Sequence, residues 1–310
     1  MFGESNFRLV GSGLSCPEGP VVEDDGSVLV CEVRGAALVR VSPGGSRTVV
    51  ANLPSGANGA AIGPDGAAYV ATNGSFTFAD VEGITHITGL IEDWVGGALY
   101  RVDRTTGEVR ELFTESEGQH LGSLNDVVFD ADGGAYIADT TSGLLHYAVP
   151  AERRIGVAVS DVVTPNGVGL SPDGSRLYVS ETFTGRLRTF EVVGPGKLLP
   201  LPDVFQHPAA AQDDTEGIDL QQSKQFWDGL AVDGEGNLVV ADLASSGVRV
   251  VSPLGAELAF FETPERDPYV TCVAFGGPDG RTAYVTSGGR GRLYAIDNWP
   301  FEGGRVNFQP

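Results

Sequence analysis

Along most of this chain, apolar and polar residues alternate in short runs. The runs are bounded by glycine, proline, asparagine and aspartate. A period of two predicts β-strands, and segments of helical period are nearly absent. One unit recurs six times: a first strand, an Asp-Gly-type turn, a second strand ending in a Tyr/Val-Val/Ile-Ala/Ser pattern, a loop, and a third strand. The second copy reads Asn58-Gly-Ala-Ala-Ile-Gly-Pro-Asp-Gly-Ala-Ala-Tyr-Val-Ala, followed by Ala98-Leu-Tyr-Arg-Val-Asp. The fourth reads Asn166-Gly-Val-Gly-Leu-Ser-Pro-Asp-Gly-Ser-Arg-Leu-Tyr-Val-Ser, followed by Arg186-Leu-Arg-Thr-Phe. Six copies at a base period of roughly 40–45 residues predict an all-β, six-bladed β-propeller with one four-stranded sheet per blade. Residues 1–310 then form a single domain. The Asp-Gly pairs are expected to form type I′ turns, which need positive φ. The ring must also close. Phe7-Arg-Leu-Val-Gly has no third strand before it, so it is expected to supply the outer strand of the last blade, whose own sequence runs out near Asp297.

Two repeats are stretched. Residues 73–97 insert a segment rich in Phe76, Phe78, Ile84, Ile87, Leu90, Ile91 and Trp94 into the second blade. Residues 207–227 insert a polar segment carrying Asp213, Asp214 and Glu216 before the fifth repeat. Long inserts in a repeat fold commonly wall a binding site, though packing or an oligomer contact serves them equally well.

Composition narrows the function. The formal net charge of -21 argues against nucleic acid, whose phosphates call for Lys and Arg. An acidic field suits solubility and can also draw in a cation. The three cysteines (Cys16, Cys31, Cys272) make no C-x-x-C pair, which favours a reducing compartment over a disulfide framework. No apolar run is long enough to span a membrane. The N-terminus lacks the basic and apolar regions of a secretory signal, so a cytoplasmic location is expected.

The first strand of a propeller blade lines the central channel, so the residues at its start converge at one mouth. Those positions are Glu18, Asn58, Asn125, Asn166, Asp228 and Thr271. All six bear oxygen and none is His or Cys. Two carboxylates with amide oxygens suit a hard divalent cation such as calcium or magnesium, or manganese. Taken singly, each is also an ordinary way to punctuate a strand, since Asn-Gly and Asp-Gly are common turn pairs. It is the recurrence at six equivalent positions that points to a site.

Pro17-Glu18-Gly19-Pro20, Leu124-Asn125-Asp126, Pro165-Asn166-Gly167 and Trp227-Asp228-Gly229-Leu230, in that order, resemble the gluconolactonase/regucalcin/luciferin-regenerating-enzyme family over roughly residues 7–297. The resemblance implies a six-bladed propeller with one divalent cation at the tunnel mouth. Calcium is the first choice, with magnesium, manganese or zinc as alternatives. By resemblance Glu18, Asn166 and Asp228 are metal ligands. Asn125 falls on a position that binds metal in phosphotriesterase-type propellers and substrate in sugar lactonases. One departure stands out: the run before Asn125 is Gly122-Ser123-Leu124, where sugar lactonases tend to carry Arg or Pro. That removes a cationic partner for sugar hydroxyls, and the aromatic second-blade insert points to a less polar substrate.

The expected activity is a metal-dependent opening of a lactone or related cyclic ester, a small-molecule reaction. The cation acts as Lewis acid and Asp228 as general base or direct nucleophile. Glu18, held between prolines, is expected to be a pure ligand. Asn58, Thr271 and Asn125 line the substrate pocket, and His120 is the one histidine placed near the mouth. Asp139, Glu181 and Asp242 end second strands and are expected to make structural hydrogen bonds to neighbouring turns. The alternatives are an organophosphate or aryl-ester hydrolase at the same site and a non-hydrolytic biosynthetic or ligand-binding propeller. There is no Gly-x-Ser-x-Gly elbow and no P-loop.

Overall fold

A computed structural model describes residues 7–210, 223–277, 279–304 and 306–308. The six repeats form six four-stranded antiparallel sheets, the blades of a β-propeller. Blade 1, for example, runs Pro17–Val22, Val28–Glu32, Ala37–Val41 and Arg47–Asn52 from the axis outward. The last blade is built from both ends of the chain. Val270–Gly276, Thr282–Ser287 and Arg292–Asp297 are completed by Phe7–Ser12, as the missing strand required. Phe7 pairs with Ile296 and Ser12 with Arg292, and the exposed Arg8–Asp297 ion pair at 2.7 Å fastens the outer edge.

Strand periodicity explains the core. In Val28–Glu32 the side chains of Val28 and Val30 pack toward the last blade, and those of Leu29 and Cys31 toward the second. Each blade is thus buried on both faces, which is why these strands read as near-continuous apolar runs. Six apolar clusters fill the six interfaces between successive blades. All three cysteines are buried free thiols.

The turns correct one expectation. In the Glu23–Ser27 loop only Gly26 has positive φ, at 80°, while Gly26 N–H donates to Glu23 O and Glu23 N–H to Ser27 O. Pro64-Asp65-Gly66 and Ala131-Asp132-Gly133 behave alike, with only the glycine at positive φ. These are three-residue hairpin loops ending in a left-handed glycine, not two-residue type I′ turns. The aspartate instead accepts the N–H two residues on, as in Asp25 Oδ1 from Ser27 at 2.9 Å.

The carboxylates that end second strands are structural, as expected. Asp139 accepts from Gly122 N–H at 2.7 Å, Glu181 from Val163 N–H at 3.0 Å, and Asp242 from Ser245 N–H at 2.8 Å. Each is met seven residues on by a basic side chain of the third strand: His146, Arg188 and Arg249.

The second-blade insert forms a hairpin, Phe76–Val81 against Ile84–Leu90. Asp213, Asp214 and Glu216 of the acidic insert lie outside the described residues.

Candidate active site at the channel mouth

Each ring residue is the second residue of its blade's innermost strand: Pro17–Val22, Ala57–Ile62, Leu124–Phe129, Pro165–Leu170, Trp227–Val232 and Val270–Gly276. In all six strands the pairing register with the second strand breaks at or just after that residue. A bulge at this point bends the strand and re-aims the side chain, here toward the axis. The following residue explains the polar-Gly dipeptides. A Cβ on Gly59 would lie 2.5 Å from Asn125 O, and one on Gly19 2.6 Å from Asn58 O. The backbones of successive inner strands come too close there for a side chain.

The bulges bring Glu18, Asn58, Asn125, Asn166, Asp228 and Thr271 around the floor of one cavity of about 700 Å³. They are not equivalent. Asn58 donates to Asn125 O at 3.2 Å and accepts from Asn73 Nδ2 at 3.0 Å. Thr271 donates to Pro17 O at 2.8 Å and shares a 2.8 Å contact with Thr286 Oγ1. Both residues are thereby engaged in fastening one inner strand to its neighbour. Asn166 donates to Thr182 Oγ1 at 3.0 Å, while its buried Oδ1 has no partner.

The carboxylates are crowded and desolvated. Burial, then the Asp228 charge, pushes the Glu18 carboxyl well above its ordinary value, although the Gly19 N–H donates to it at 2.8 Å. Burial likewise pushes Asp228 up to about 7, against the hydrogen bond from Asn166 and with the charge of Asp126 adding to the shift. Asp126, which sequence reasoning passed over as part of a dipeptide, is half-buried, and desolvation also raises it to about 7. Its two oxygens are taken by Val127 N–H at 2.8 Å and Val168 N–H at 3.0 Å, so it ties the third blade to the fourth.

Glu18, Asp228 and the partnerless Oδ1 of Asn166 are an all-oxygen donor set of the kind a hard divalent cation takes. Among the described residues no three His, Cys, Asp or Glu side chains group as a metal site, so a third donor would have to be of another kind, such as an amide oxygen. Such a cation would oppose the repulsion between the two carboxylates and give Asn166 Oδ1 its partner.

The sequence placed His120 near the mouth, and the structure corrects this. It sits on the short Glu115–Ser116/Gln119–His120 hairpin, 70% exposed and 3.8 Å from Glu115, and does not line the cavity. The roof is instead supplied by Phe76, Ile87 and Leu90 of the second-blade hairpin. Asn73 and Thr182, which hold Asn58 and Asn166, were also missed. Both follow the ends of second strands, where the sequence shows only ordinary polar punctuation.

The profile of the SMP-30/Gluconolactonase/LRE-like region matches residues 16–289. The chain belongs to this family. Among its relatives is the gluconolactonase of Zymomonas mobilis subsp. mobilis, 21% identical over 309 residues, covering 91% of this chain and 78% of that one. Lactonase drp35 of Staphylococcus haemolyticus is 23% identical over 270 residues, covering 84% and 73%. Among solved structures, a Xanthomonas campestris gluconolactonase superposes with a TM-score of 0.73 at 19% identity, covering 95% of this chain and 90% of its own. The calcium-binding regucalcin of Agrobacterium tumefaciens gives 0.71 at 17%, covering 99% and 98%. At these identities the superpositions establish the propeller. No helix among the described residues is long and apolar enough to cross a membrane.

Proposed function

We propose that this member of the family is a lactone-opening hydrolase dependent on a divalent cation held by Glu18, Asn166 and Asp228, with Asn125 beside them. The observation that carries the proposal is the convergence of two buried carboxylates and an unpartnered amide oxygen at one end of a propeller channel. The lactonase activities named for the relatives support the reaction class. When bound, the cation supplies Lewis-acid polarisation of the ester carbonyl and offsets the carboxylate repulsion.

The protein's own residues do the rest. Glu18, fixed between Pro17 and a buried Gly19-Pro20 turn away from the strand ladder, would be the anionic anchor once the cation offsets its burial and the Asp228 charge. Asn166 is held through its amide nitrogen by Thr182, which leaves its buried Oδ1 without a protein partner and available to a cation. Asp228 takes the proton of an attacking water, or attacks the carbonyl carbon itself. By either route a C–O bond of the ring breaks, the alkoxide is protonated, and water is consumed to give a hydroxy acid. Asn125, whose carbonyl is held by Asn58, faces the substrate.

The test is a pH-indicator assay on a lactone panel after chelation and again with each metal restored, alongside metal content by mass spectrometry. Turnover that vanishes on chelation and returns with metal, and is lost in Asp228→Asn with the fold intact, supports the proposal. Bound metal with no turnover of any lactone refutes it. Single turnover in ¹⁸O-water separates the two roles of Asp228, because only the nucleophile acquires label in its carboxylate.

A further inference from the structure

The cavity above the ring has two unlike ends. Its floor is the oxygen-bearing ring. Its roof and walls carry Phe76, Ile87, Leu90, Phe183, Leu243 and Val33. None of its 21 lining residues is Lys, Arg or His, and residues 211–222, outside the described set, contain none in sequence. Two cations close by in the chain are committed elsewhere. Arg34 pairs with Asp80 at 2.7 Å on the outer side of the hairpin, and Lys224 sits over the Phe226 ring at 5.3 Å.

The hairpin lies closed across the mouth. It leaves the second blade through Gly74 and Ser75, both at positive φ (79° and 81°), and reaches the sixth. There Thr85 N–H donates to Gly289 O at 2.8 Å, and His86 Nδ1 lies 3.3 Å from Tyr269 Oη. Phe76 pairs with Leu90 across the hairpin, so both present the same face to the cavity. An insert whose role was packing would bury its apolar side chains. Here Ile87 and Leu90 stay 39% and 41% exposed, and five of the thirteen exposed large apolar residues among those described belong to residues 73–97. Apolar surface left uncovered against a cavity marks a ligand's place.

We propose that the substrate is a neutral lactone or cyclic ester bearing an alkyl or aryl substituent. The carbonyl lies on the ring and the apolar substituent lies under Phe76, Ile87 and Leu90, which set specificity. This rests on the hydrolase reading above. A phosphorylated, sulfonated or carboxylated lactone would find no side-chain cation and two carboxylates below it. The walls also carry Ser123, Thr140, Thr141, Thr182 and Gln225, but a polyhydroxylated ring seated under the hairpin would press its hydroxyls on Phe76, Ile87 and Leu90, which offer no hydrogen bond.

The experiment uses the full chain and two readouts. One is kcat/KM across a homologous series of γ-alkyl lactones, D-glucono-1,5-lactone and its 6-phosphate. The other is calorimetric binding of the matching γ-alkyl lactams, which the enzyme does not open as esters. Both kcat/KM and affinity are expected to rise about fourfold per added methylene until the cavity fills. The Ile87→Ser/Leu90→Ser variant should at least halve the logarithmic slope in both assays. A flat series in both assays, or turnover of the sugar lactone or its phosphate above every alkyl lactone, overturns the proposal. If no lactone is opened but lactam affinity still climbs with chain length and depends on the hairpin, the hydrolase reading fails and the apolar assignment stands.

Discussion

Asp242 fastens the second strand to which Trp227, the residue before Asp228, is paired, and removing it gives a test whose size follows from its contacts. Asp242 is fully buried, and its backbone pairs with Trp227, the residue before Asp228. Its carboxylate accepts from Ser245 N–H at 2.8 Å and from Arg249 Nε and Nη2 at 2.9 and 2.8 Å, with His207 Nε2 at 3.3 Å. The His207 ring in turn lies 4.6 Å from that of Trp227, whose Nε1–H donates to Gly185 O at 2.6 Å. Asp242→Ala takes a partner from Arg249, a residue 8% exposed, and leaves the part-buried Ser245 N–H without its acceptor. Breaking a buried pair from one side costs about 3–5 kcal/mol. The lower part of that range is expected, because Glu257, 2.7 Å away and 41% exposed, still faces Arg249. With about 2.1 cal/mol/K of unfolding entropy per residue, the loss corresponds to roughly 5–6 °C in Tm. Differential scanning calorimetry of Asp242→Ala, Arg249→Met and the double variant reads it directly. The double variant should recover at least half of the loss, since no buried charge is left alone. A single variant within about 1 °C of the parent, or a double variant as unstable as the single, would refute the reasoning.

The same carboxylate has a pH signature. Burial alone would raise Asp242, but the hydrogen bonds and charges of His207 and Arg249 outweigh it and hold the carboxyl below its ordinary value. A depressed folded pKa gives stability that is full above the unfolded value of about 3.9 and is lost as pH falls through the folded one. The gap in urea midpoint between the parent and Asp242→Asn should therefore be constant near pH 6 and shrink below about pH 4; a gap that widens on acidification contradicts the assignment. Trp299 is fully buried against Phe261 and Phe275, at ring distances of 4.8 and 5.6 Å, with its Nε1–H unpartnered. Urea titration should find Trp299→Ala costing about 3–5 kcal/mol and Trp299→Phe below about 1.5, because the latter keeps most of the volume and deletes an unpaired donor.

What the sequence made legible was what repeats. Six copies of one strand pattern specify six blades, and an orphan strand at the start must complete a short blade at the end. The ring was readable for the same reason: one polar position recurring at equivalent places has one address in the fold. The chemistry inside the recurring dipeptides was not readable. Asn58-Gly59 and Asn166-Gly167 look like turn pairs, yet both lie within strands, where the glycine makes room for the neighbouring blade. That requirement comes from residues a whole repeat away. Nor did distance along the chain locate His120, which precedes an inner strand but lies exposed on a short hairpin. The aromatic insert announced its composition without its direction. It crosses to the sixth blade through Thr85 and Gly289, a contact that local pattern does not encode.

The glycines under the ring lead to a last prediction that separates geometry from chemistry. Gly229 follows Asp228, and its φ lies outside the left-handed region, so alanine can adopt its backbone without strain. At such a position Gly→Ala alone would stabilise by about 0.4–1 kcal/mol through the unfolded chain. Here the new Cβ would meet Cys272 Sγ at 2.6 Å and Thr271 O at 2.8 Å. The fifth and sixth inner strands must then move apart, an overpacking cost of about 1–3 kcal/mol that outweighs the gain. The displacement falls on the peptide between Asp228 and its glycine, whose neighbouring carbonyl, Asp228 O, is fixed by Ser180 Oγ at 2.7 Å. Strain held on one side by Ser180 and pushed on the other by Cys272 is expected to shift the Asp228 carboxylate. Lactone turnover should therefore fall at least tenfold while Tm drops only by about 1–3 °C. Gly229→Ala/Cys272→Ala removes the sulfur but not the Thr271 carbonyl contact, so it should restore stability only in part and turnover less than stability. Parental Tm and turnover in Gly229→Ala would mean that the inner strands yield freely, and the ring's precision would then have to come from elsewhere than blade-to-blade contact.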